Sequence, residues 1–265
     1  MKALLPFSRA LPLVAACMLM LPSVGRAQLS IDRGEMELIP GASAERRVGL
    51  LTVRNAGTAR VQAVVSMEDW DRGIDGGNRF FPVGKLMHSC GEGLRVFPAS
   101  FALEAGDATQ VRIEYVGTPR RDECTNLIVV EEAKPSTVKR TGISVNTRMG
   151  LKVYVTPSET TTGGELTDLA IERPVQAGDS TRVVTTYRND GTRHVQATGR
   201  LEIRRDDNSV VTTVTLPTVY ALAGASMQTR AALPPLSPGK YVLIAIYDFG
   251  GSELAAAQLE VDITP

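Results

Sequence analysis

Few residues of this chain have the types and spacing that catalysis or metal binding requires. The two histidines, His88 and His194, belong to no recognisable arrangement with a serine or cysteine nucleophile. Glu131 and Glu132 form an acidic pair, but neighbouring residues of a β-strand point to opposite faces, so they cannot share a substrate. These observations argue against an enzyme, and the sequence predicts no catalytic residue, no metal site and no cofactor.

The cysteines offer a different chemistry. The chain has three, of which Cys17 lies in a predicted signal peptide and Cys90 and Cys124 do not. Two cysteines in an exported protein are oxidised by default, so we expect a disulfide between Cys90 and Cys124. Zinc binding is less favoured, because neither cysteine has a second cysteine at ligand spacing, and His88, two residues from Cys90, is not a zinc site by itself.

The amino-terminal residues 1–27 have the features of a secretion signal. Lys2 and Arg9 supply positive charge, residues 10–24 are apolar, and small residues precede Gln28. We therefore expect a cleaved signal peptide and an exported mature chain that begins at Gln28. The predicted location is the periplasm, with the extracellular space as the alternative.

Two other interpretations of this segment stay open. A membrane anchor is disfavoured because the apolar run is shorter than the ~20 residues that span a bilayer. Residues 14–17 (VAAC) resemble the lipid-attachment motif of lipoproteins, although the apolar run continues past Cys17. Beyond this segment, no stretch of the sequence is long and apolar enough to span a bilayer, so we expect no membrane insertion of the mature chain.

The charge balance bears on the partners of the mature chain. Removal of residues 1–27 leaves 26 basic and 29 acidic residues, a net charge of −3. A weakly acidic exported protein without a basic stripe is a poor candidate for nucleic-acid binding.

A repeat organises the remainder of the sequence. Residues 52–68 (TVRNAGTARVQAVVSME) and residues 186–202 (TYRNDGTRHVQATGRLE) are identical at nine of seventeen positions, with a constant offset of 134. Each copy has β-strand character on both sides of an Asn-x-Gly turn, which favours a tight hairpin. A unit of this length that occurs twice indicates a duplicated domain.

Short alternating strands follow one another throughout the mature chain, without a helical period. We expect an all-β fold of two immunoglobulin-like β-sandwiches in tandem. The predicted divisions are a signal peptide at 1–27, a first domain at 28–156, a linker rich in Thr, Gly and Pro at 157–165, and a second sandwich at 166–265.

Two motifs of the first domain resemble a known family. Residues 94–106 (LRVFPASFALEAG) and 110–113 (QVRI) resemble the signature of periplasmic PapD-like pilus chaperones. Residues 150–157 (GLKVYVTP) resemble the strand that closes the first domain of that family. With the signal peptide and the two sandwiches, the similarity covers most of the mature chain, which we interpret as a divergent member.

The resemblance implies donor-strand complementation, in which a chaperone lends an edge strand to an incomplete pilus or fimbrial subunit. The corresponding strand here carries Ile143, Val145, Thr147 and Met149 on one face, at a period of two. The implied partner is a fimbrial subunit or another secreted β-protein. An outer-membrane usher is a further partner known from the family.

The resemblance also implies two basic residues that hold the client's terminal carboxylate between the domains. Lys152 matches the family's lysine, and Arg33 is the nearest match to its arginine, although Glu35 or Met36 stands at the expected position. Arg148 shares a strand face with Lys152 and is a rival anchor.

A second function remains open at the level of sequence. A secreted protein that uses two immunoglobulin-like domains as a structural scaffold or as an adhesion module would have the same composition and strand pattern. Sandwich folds host many functions, so the fold alone does not separate the two hypotheses.

Overall fold

The structure is a computed structural model that describes residues 29–40, 47–133, 147–173 and 180–264. The predicted signal peptide, including Cys17, lies outside the described residues, as do Ile143 and Val145. In chain order the strands are β1 (Leu29–Ile31), β2 (Glu35–Leu38), β3 (Val48–Asn55), β4 (Val61–Arg72), β5 (Asn78–Phe81), β6 (Leu94–Phe97), β7 (Ser100–Leu103), β8 (Ala108–Tyr115), β9 (Cys124–Glu132), β10 (Arg148–Val155), β11 (Glu165–Glu172), β12 (Arg182–Arg188), β13 (Val195–Arg205), β14 (Val210–Ala221), β15 (Ser226–Ala232), β16 (Gly239–Asp248) and β17 (Ala255–Ile263).

The first ten strands form two sheets with one hydrophobic core between them. One sheet has the order β1-β3-β8-β6, and the other has the order β2-β10-β9-β4-β5 with β7 beside β4. Alternation produces the core, as in β8, where Val111, Ile113 and Tyr115 are buried and the intervening side chains are not. The core takes its side chains from both sheets.

Strands β11 to β17 form a second pair of sheets around a separate core. Their orders are β11-β12-β15 and β14-β13-β16-β17. The Tyr241 hydroxyl donates a hydrogen bond to the Ser237 carbonyl at 2.9 Å, the return contact of a tyrosine corner. The predicted all-β class with two immunoglobulin-like sandwiches is confirmed.

The repeated segment is not a hairpin, so that prediction was wrong. β3 pairs with β1 and β8, whereas β4 pairs with β5, β7 and β9 in the opposite sheet. The second copy likewise passes from β12 in one sheet to β13 in the other. We call these crossings the first arch (residues 55–60) and the second arch (residues 189–194). The physical reason is that β3 and β4 each bury apolar side chains in the same core from opposite sides, which two paired strands of one sheet cannot do.

The predicted disulfide is confirmed. Cys90 is bonded to Cys124, and their Cα atoms lie 5.0 Å apart. The bond ties the loop before β6 to the first residue of β9, beside the contact between the two sandwiches. Within the described residues, no helix is long and apolar enough to cross a membrane.

A small hydrophobic cluster joins the two sandwiches. Trp70, Leu127, Val129 and Tyr154 lie on the outer face of the β2-β10-β9-β4-β5 sheet and pack with Leu222 of the second sandwich. Strand β9 is therefore buried continuously from its first residue to Val130, because one face contacts the core and the other contacts this cluster.

A buried carboxylate strengthens the same junction. Glu123, which is 3% exposed, accepts hydrogen bonds from the Thr156 hydroxyl at 2.7 Å and from the His194 backbone N–H at 2.9 Å. The His194 Nδ1 atom lies 2.7 Å from the same carboxylate, and the imidazole stacks on the Tyr154 ring at 3.8 Å between centroids. These contacts fix the second arch against the first sandwich.

Candidate functional site

The carboxyl half of β10 and its amino-terminal half have different surroundings. Strand β2 pairs in parallel with Lys152–Val155 only, and β9 pairs with all of Arg148–Val155. Among the strands that the structure describes, none pairs with the other edge of residues 148–151. An unpaired strand edge presents backbone N–H and C=O groups that can hydrogen-bond to another chain.

Two of the four predicted donor-strand residues can be placed. Met149 lies in β10 on the same side as Leu151 and Val153 and packs partly against the first core. Thr147 immediately precedes β10 and is half-buried. Met149 is thus shared between the protein's own core and the open edge.

The predicted anchor Lys152 lies on the opposite side of β10 from Leu151 and Val153, on the face that carries the junction cluster. Its Nζ atom is 3.2 Å from a Glu35 carboxylate oxygen and 5.0 Å from the centroid of the Trp70 ring. Glu35 stands beside Lys152 because β2 and β10 pair in register at these two residues. The ammonium group is therefore already balanced by a carboxylate within the chain.

The other two predicted anchors also have acidic partners. Arg33 pairs with Asp32 at 3.1 Å. Arg148 pairs with Glu68 at 2.5 Å and with Glu131 at 3.4 Å. Arg148 and Lys152 line one cavity together with Met149 and Trp70, and Arg33 is not among the residues that line it.

A cavity at the junction contains functional groups that the sequence analysis did not select. It is lined by residues of both sandwiches: Glu35, Trp70, Arg72, Tyr154, His194, Val195, Gln196, Tyr220, Ala221 and Leu222. The Arg72 guanidinium lies over the Tyr220 ring at 5.3 Å from its centroid. The sequence signal for this cavity is that Trp70, the single tryptophan, and Arg72 are two residues apart in one strand and therefore share a face.

Two nitrogen atoms at this cavity are buried without an acceptor. The Trp70 Nε1 and the Arg72 Nε have no hydrogen-bond partner within the described structure. A buried N–H that loses water and gains no acceptor costs free energy. Both nitrogens have almost no accessible surface, so their burial is an energetic cost to the junction.

The electrostatics of the cavity are visible at Tyr154. Burial raises the pKa of the Tyr154 phenol well above its usual range, the Glu35 and Glu123 carboxylates raise this pKa further, and Arg72 opposes them. A phenol with its usual pKa is also protonated at physiological pH, so this shift does not change the charge of Tyr154 there. The charges of Arg72, Glu35 and Glu123 therefore all affect the pKa of Tyr154 at the junction.

No protein-family model matches this chain, and no curated protein matches it. Similarity is found instead among solved structures. A chain from a chaperone–tip adhesin complex of CFA/I fimbriae biogenesis has a TM-score of 0.53 and 14% identity, covering 89% of this chain and 100% of that chain. The class 5 fimbriae chaperone CfaA has a TM-score of 0.50 and 16% identity, covering 89% of this chain and 99% of its own.

These similarities extend across both sandwiches, since they cover 89% of a chain whose first 28 residues are not described. The chain therefore has the fold of fimbrial chaperones, and the resemblance predicted from residues 94–113 and 150–157 is confirmed at the level of the fold. The structure contains no cluster of three or more metal-ligating side chains among its described residues.

Proposed function

We propose that this protein is a periplasmic chaperone that binds fimbrial subunits and lends them the open edge of β10. The observation that carries this proposal is the unpaired edge of residues 148–151, which begins where β2 stops pairing at Lys152. Such an edge can add to the incomplete sheet of a client by strand pairing.

The residues that precede β10 extend the proposed donor strand. Ile143, Val145, Thr147 and Met149 alternate with polar residues, so one face would enter a client's groove. The two solved neighbours support this type of partner, because one of them is a chaperone in complex with a tip adhesin. An outer-membrane usher that receives the client belongs to the same proposal.

The cationic face of β10 adds a second contact. Lys152 lies opposite the donor-strand side chains, so one strand can present apolar groups to a groove and a cation to the junction between the sandwiches. A client carboxylate would compete with Glu35, whose side chain is 54% exposed and free to move away. Export through a cleaved signal peptide would bring the mature chain to the compartment of its clients.

The decisive experiment is co-purification of fimbrial subunits from the periplasm with donor-strand variants. Ile143→Asp combined with Val145→Asp should abolish capture, because carboxylates cannot enter an apolar groove without a large desolvation cost. The matched control is Val210→Asp with Val211→Asp, since this exposed apolar pair lies on the edge strand β14 of the second sandwich.

Melting curves establish that each variant is folded. If the variant with Ile143→Asp and Val145→Asp still captures every subunit that the unmodified protein captures, donor-strand binding is excluded. The scaffold hypothesis then replaces it. Loss of capture in the β14 control would show that the effect is not specific to the proposed donor strand.

A further inference from the structure

The open edge of β10 borders a second cavity, on the outer face of the β2-β10-β9-β4-β5 sheet. This outer cavity has a volume of about 300 Å³ and extends from Arg148 and Gly150 on β10, across β9, to Phe80 on β5. Its apolar lining includes Leu127 and Val129 of β9, which are buried. The outer cavity is therefore continuous with the edge of the proposed donor strand, and a strand paired with that edge would lie beside it.

Gly150 allows the apolar lining to reach the open edge. It lies opposite Val129 in the pairing of β10 with β9, on the same face as Arg148 and Lys152. A Cβ atom at position 150 would lie 2.9 Å from the Leu127 Cδ1 atom, closer than ordinary van der Waals contact. Leu127 therefore occupies the space that a side chain at position 150 would take. Between two long cationic side chains, the outward face of the edge has a gap with an apolar base.

The dimensions of this gap favour an aromatic occupant. A strand paired with the open edge would lie ~4.8 Å from β10, so its outward side chain must pass over Gly150 before it contacts Leu127. Aromatic side chains are long enough to contact such neighbours, and an aromatic ring can cover a glycine of the adjacent strand. The Arg148 side chain is 49% exposed, so its planar guanidinium can stack on the ring.

We propose that the outer cavity is a specificity subsite that receives an aromatic side chain from the client strand paired with β10. The ring would cover Gly150, contact Leu127 and stack on Arg148. This inference rests on the proposed function and adds a side-chain preference to a contact that strand pairing makes through the backbone. Subunits with an aromatic residue on the outward face of the paired strand bind more tightly than subunits with a small or polar residue there.

The test uses three short synthetic peptides, acetylated and amidated so that no terminal charge contributes to binding. Valine and threonine alternate in each peptide, and the central threonine is either kept or replaced by phenylalanine or by cyclohexylalanine. Isothermal titration calorimetry measures the affinities. The phenylalanine peptide should bind more than about tenfold tighter than the threonine peptide, because it buries an apolar ring. It should bind about threefold tighter than the cyclohexylalanine peptide, because a saturated ring has no π-face for Arg148.

A substitution at Gly150 locates the subsite. Gly150→Thr should reduce the preference for the phenylalanine peptide over the threonine peptide to less than about twofold, because the new side chain fills the gap and separates the ring from Leu127. The control is Ala102→Thr, which places a threonine at an exposed position of β7 in the same sheet. Because Ala102 does not line the outer cavity, this variant should keep the full preference.

A substitution at Arg148 tests the stacking contact. Arg148→Gln should bind the phenylalanine and cyclohexylalanine peptides with affinities that differ by less than about twofold, and it should still prefer both over the threonine peptide. Arg112→Gln is the matched control, because Arg112 is similarly exposed (52%) and pairs with Glu114 in the other sheet. This control should retain the difference of about threefold between the two rings.

The inference is wrong if the unmodified protein shows no preference for the phenylalanine peptide over either of the other two. It is equally wrong if folded Gly150→Thr keeps the full preference, if Ala102→Thr loses it, or if Arg148→Gln still distinguishes the two rings. Circular dichroism and melting curves identify the folded variants. If Gly150→Thr is unfolded, the comparison of Arg148→Gln with Arg112→Gln decides.

Failure of this inference is distinguishable from failure of the proposed function. If the variant with Ile143→Asp and Val145→Asp loses client capture while the unmodified protein does not distinguish the peptides, the donor strand stands and the aromatic subsite is excluded. If that variant keeps full capture while the peptide preference depends on Gly150, donor-strand binding is excluded and the outer cavity is retained as a site for aromatic side chains.

Discussion

The first arch and the second arch have similar sequences, and an asparagine at the same aligned position hydrogen-bonds to the backbone in each. The amide group of Asn55 donates to the carbonyls of Ala59, Leu103 and Glu104, and that of Asn189 donates to the carbonyls of Arg193, Ala221 and Leu222. Each Oδ1 accepts the N–H of a glycine two residues later, Gly57 or Gly191, at 2.9 Å. Both asparagines are fully buried.

The ends of the two arches have different environments. Thr58, Ala59 and Arg60 are exposed, and the contact made by Arg60 is an ion pair with Glu104 of the same sandwich at 3.2 Å. The aligned residues Thr192, Arg193 and His194 are half-buried. They contact the first sandwich and the segment that follows β10: Glu123 N–H donates to the Thr192 carbonyl, Arg193 pairs with Glu37, and Thr161 N–H donates to the Thr192 hydroxyl.

The comparison separates two roles within one motif. The asparagine and glycine satisfy the backbone at the crossing between sheets, and this requirement is the same in both sandwiches. The three residues after the glycine determine whether the arch ends in solvent or attaches to a neighbouring domain. Substitutions at aligned positions should therefore have equal effects at the asparagine and unequal effects at the end of the arch.

The largest effect is expected at the asparagines. Asn55→Ala and Asn189→Ala should each lower the free energy of unfolding by about 3 kcal/mol, because each leaves buried carbonyl groups without a donor. Urea denaturation of the two variants measures the loss. Thr58→Ala, at an exposed position of the same arch, should change stability by less than about 0.5 kcal/mol. A large difference between the two asparagine variants would break the equivalence of the arches.

The second effect should appear in one arch only. His194→Ala removes the imidazole that stacks on Tyr154 and contacts Glu123, so a buried carboxylate loses a partner and we expect a loss of about 2 kcal/mol. Arg60→Ala, at the aligned position, should cost at most about 1 kcal/mol because its ion pair is exposed. The measurement is urea denaturation monitored by the fluorescence of Trp70, a residue that lies in the junction cluster. Equal losses in the two variants would contradict the assignment of the second arch to domain attachment.

A smaller effect is expected from Arg193→Ala. The ion pair of Arg193 with Glu37 joins the two sandwiches at 2.8 Å but is partly exposed on both sides. Its removal should lower the free energy of unfolding by no more than about 1 kcal/mol. This loss should be smaller in high salt, because salt screens the ion pair. Denaturation midpoints at low and high salt measure this dependence. A loss that is independent of salt would mean that packing, and not charge, carries the contact.

The smallest effect is expected from the converse substitution in the first arch. Ala59→Arg gives this arch the residue found at the aligned position of the second, but at an exposed position beside Arg60, whose ion pair lies within the first sandwich. Stability should change by less than about 0.5 kcal/mol, as measured by thermal unfolding. A gain comparable with the loss in Arg193→Ala would show that arginine stabilises the arch locally.

Several features followed from local sequence alone. Period-two alternation, as in β8, predicted strands whose buried side chains form a core, and the 134-residue repeat predicted two sandwiches of the same kind. The pairing of Cys90 with Cys124 followed from counting the cysteines of a chain that is predicted to be exported. Each of these conclusions needs only the spacing of residues along one segment or the number of available partners.

The arches show where local sequence stops being sufficient. Asn-x-Gly between two strands is compatible with a hairpin and with a crossing between sheets, because both require the same backbone turn. The choice depended on which distant strands pair with β3 and β4, and those partners lie up to 69 residues away, as for Ala63 and Glu132 of β9.

The candidate site, too, was predicted only in part from the sequence. The resemblance to the family selected Lys152 and the donor strand, and strand parity placed Ile143, Val145, Thr147 and Met149 on one face of that strand. It selected Arg33 as the nearest match to the family's arginine and did not select Arg72. Only the tertiary structure placed Arg72 against Tyr220 and left its Nε buried, because a side chain's burial and partners depend on a second sandwich that packs from a distant part of the chain.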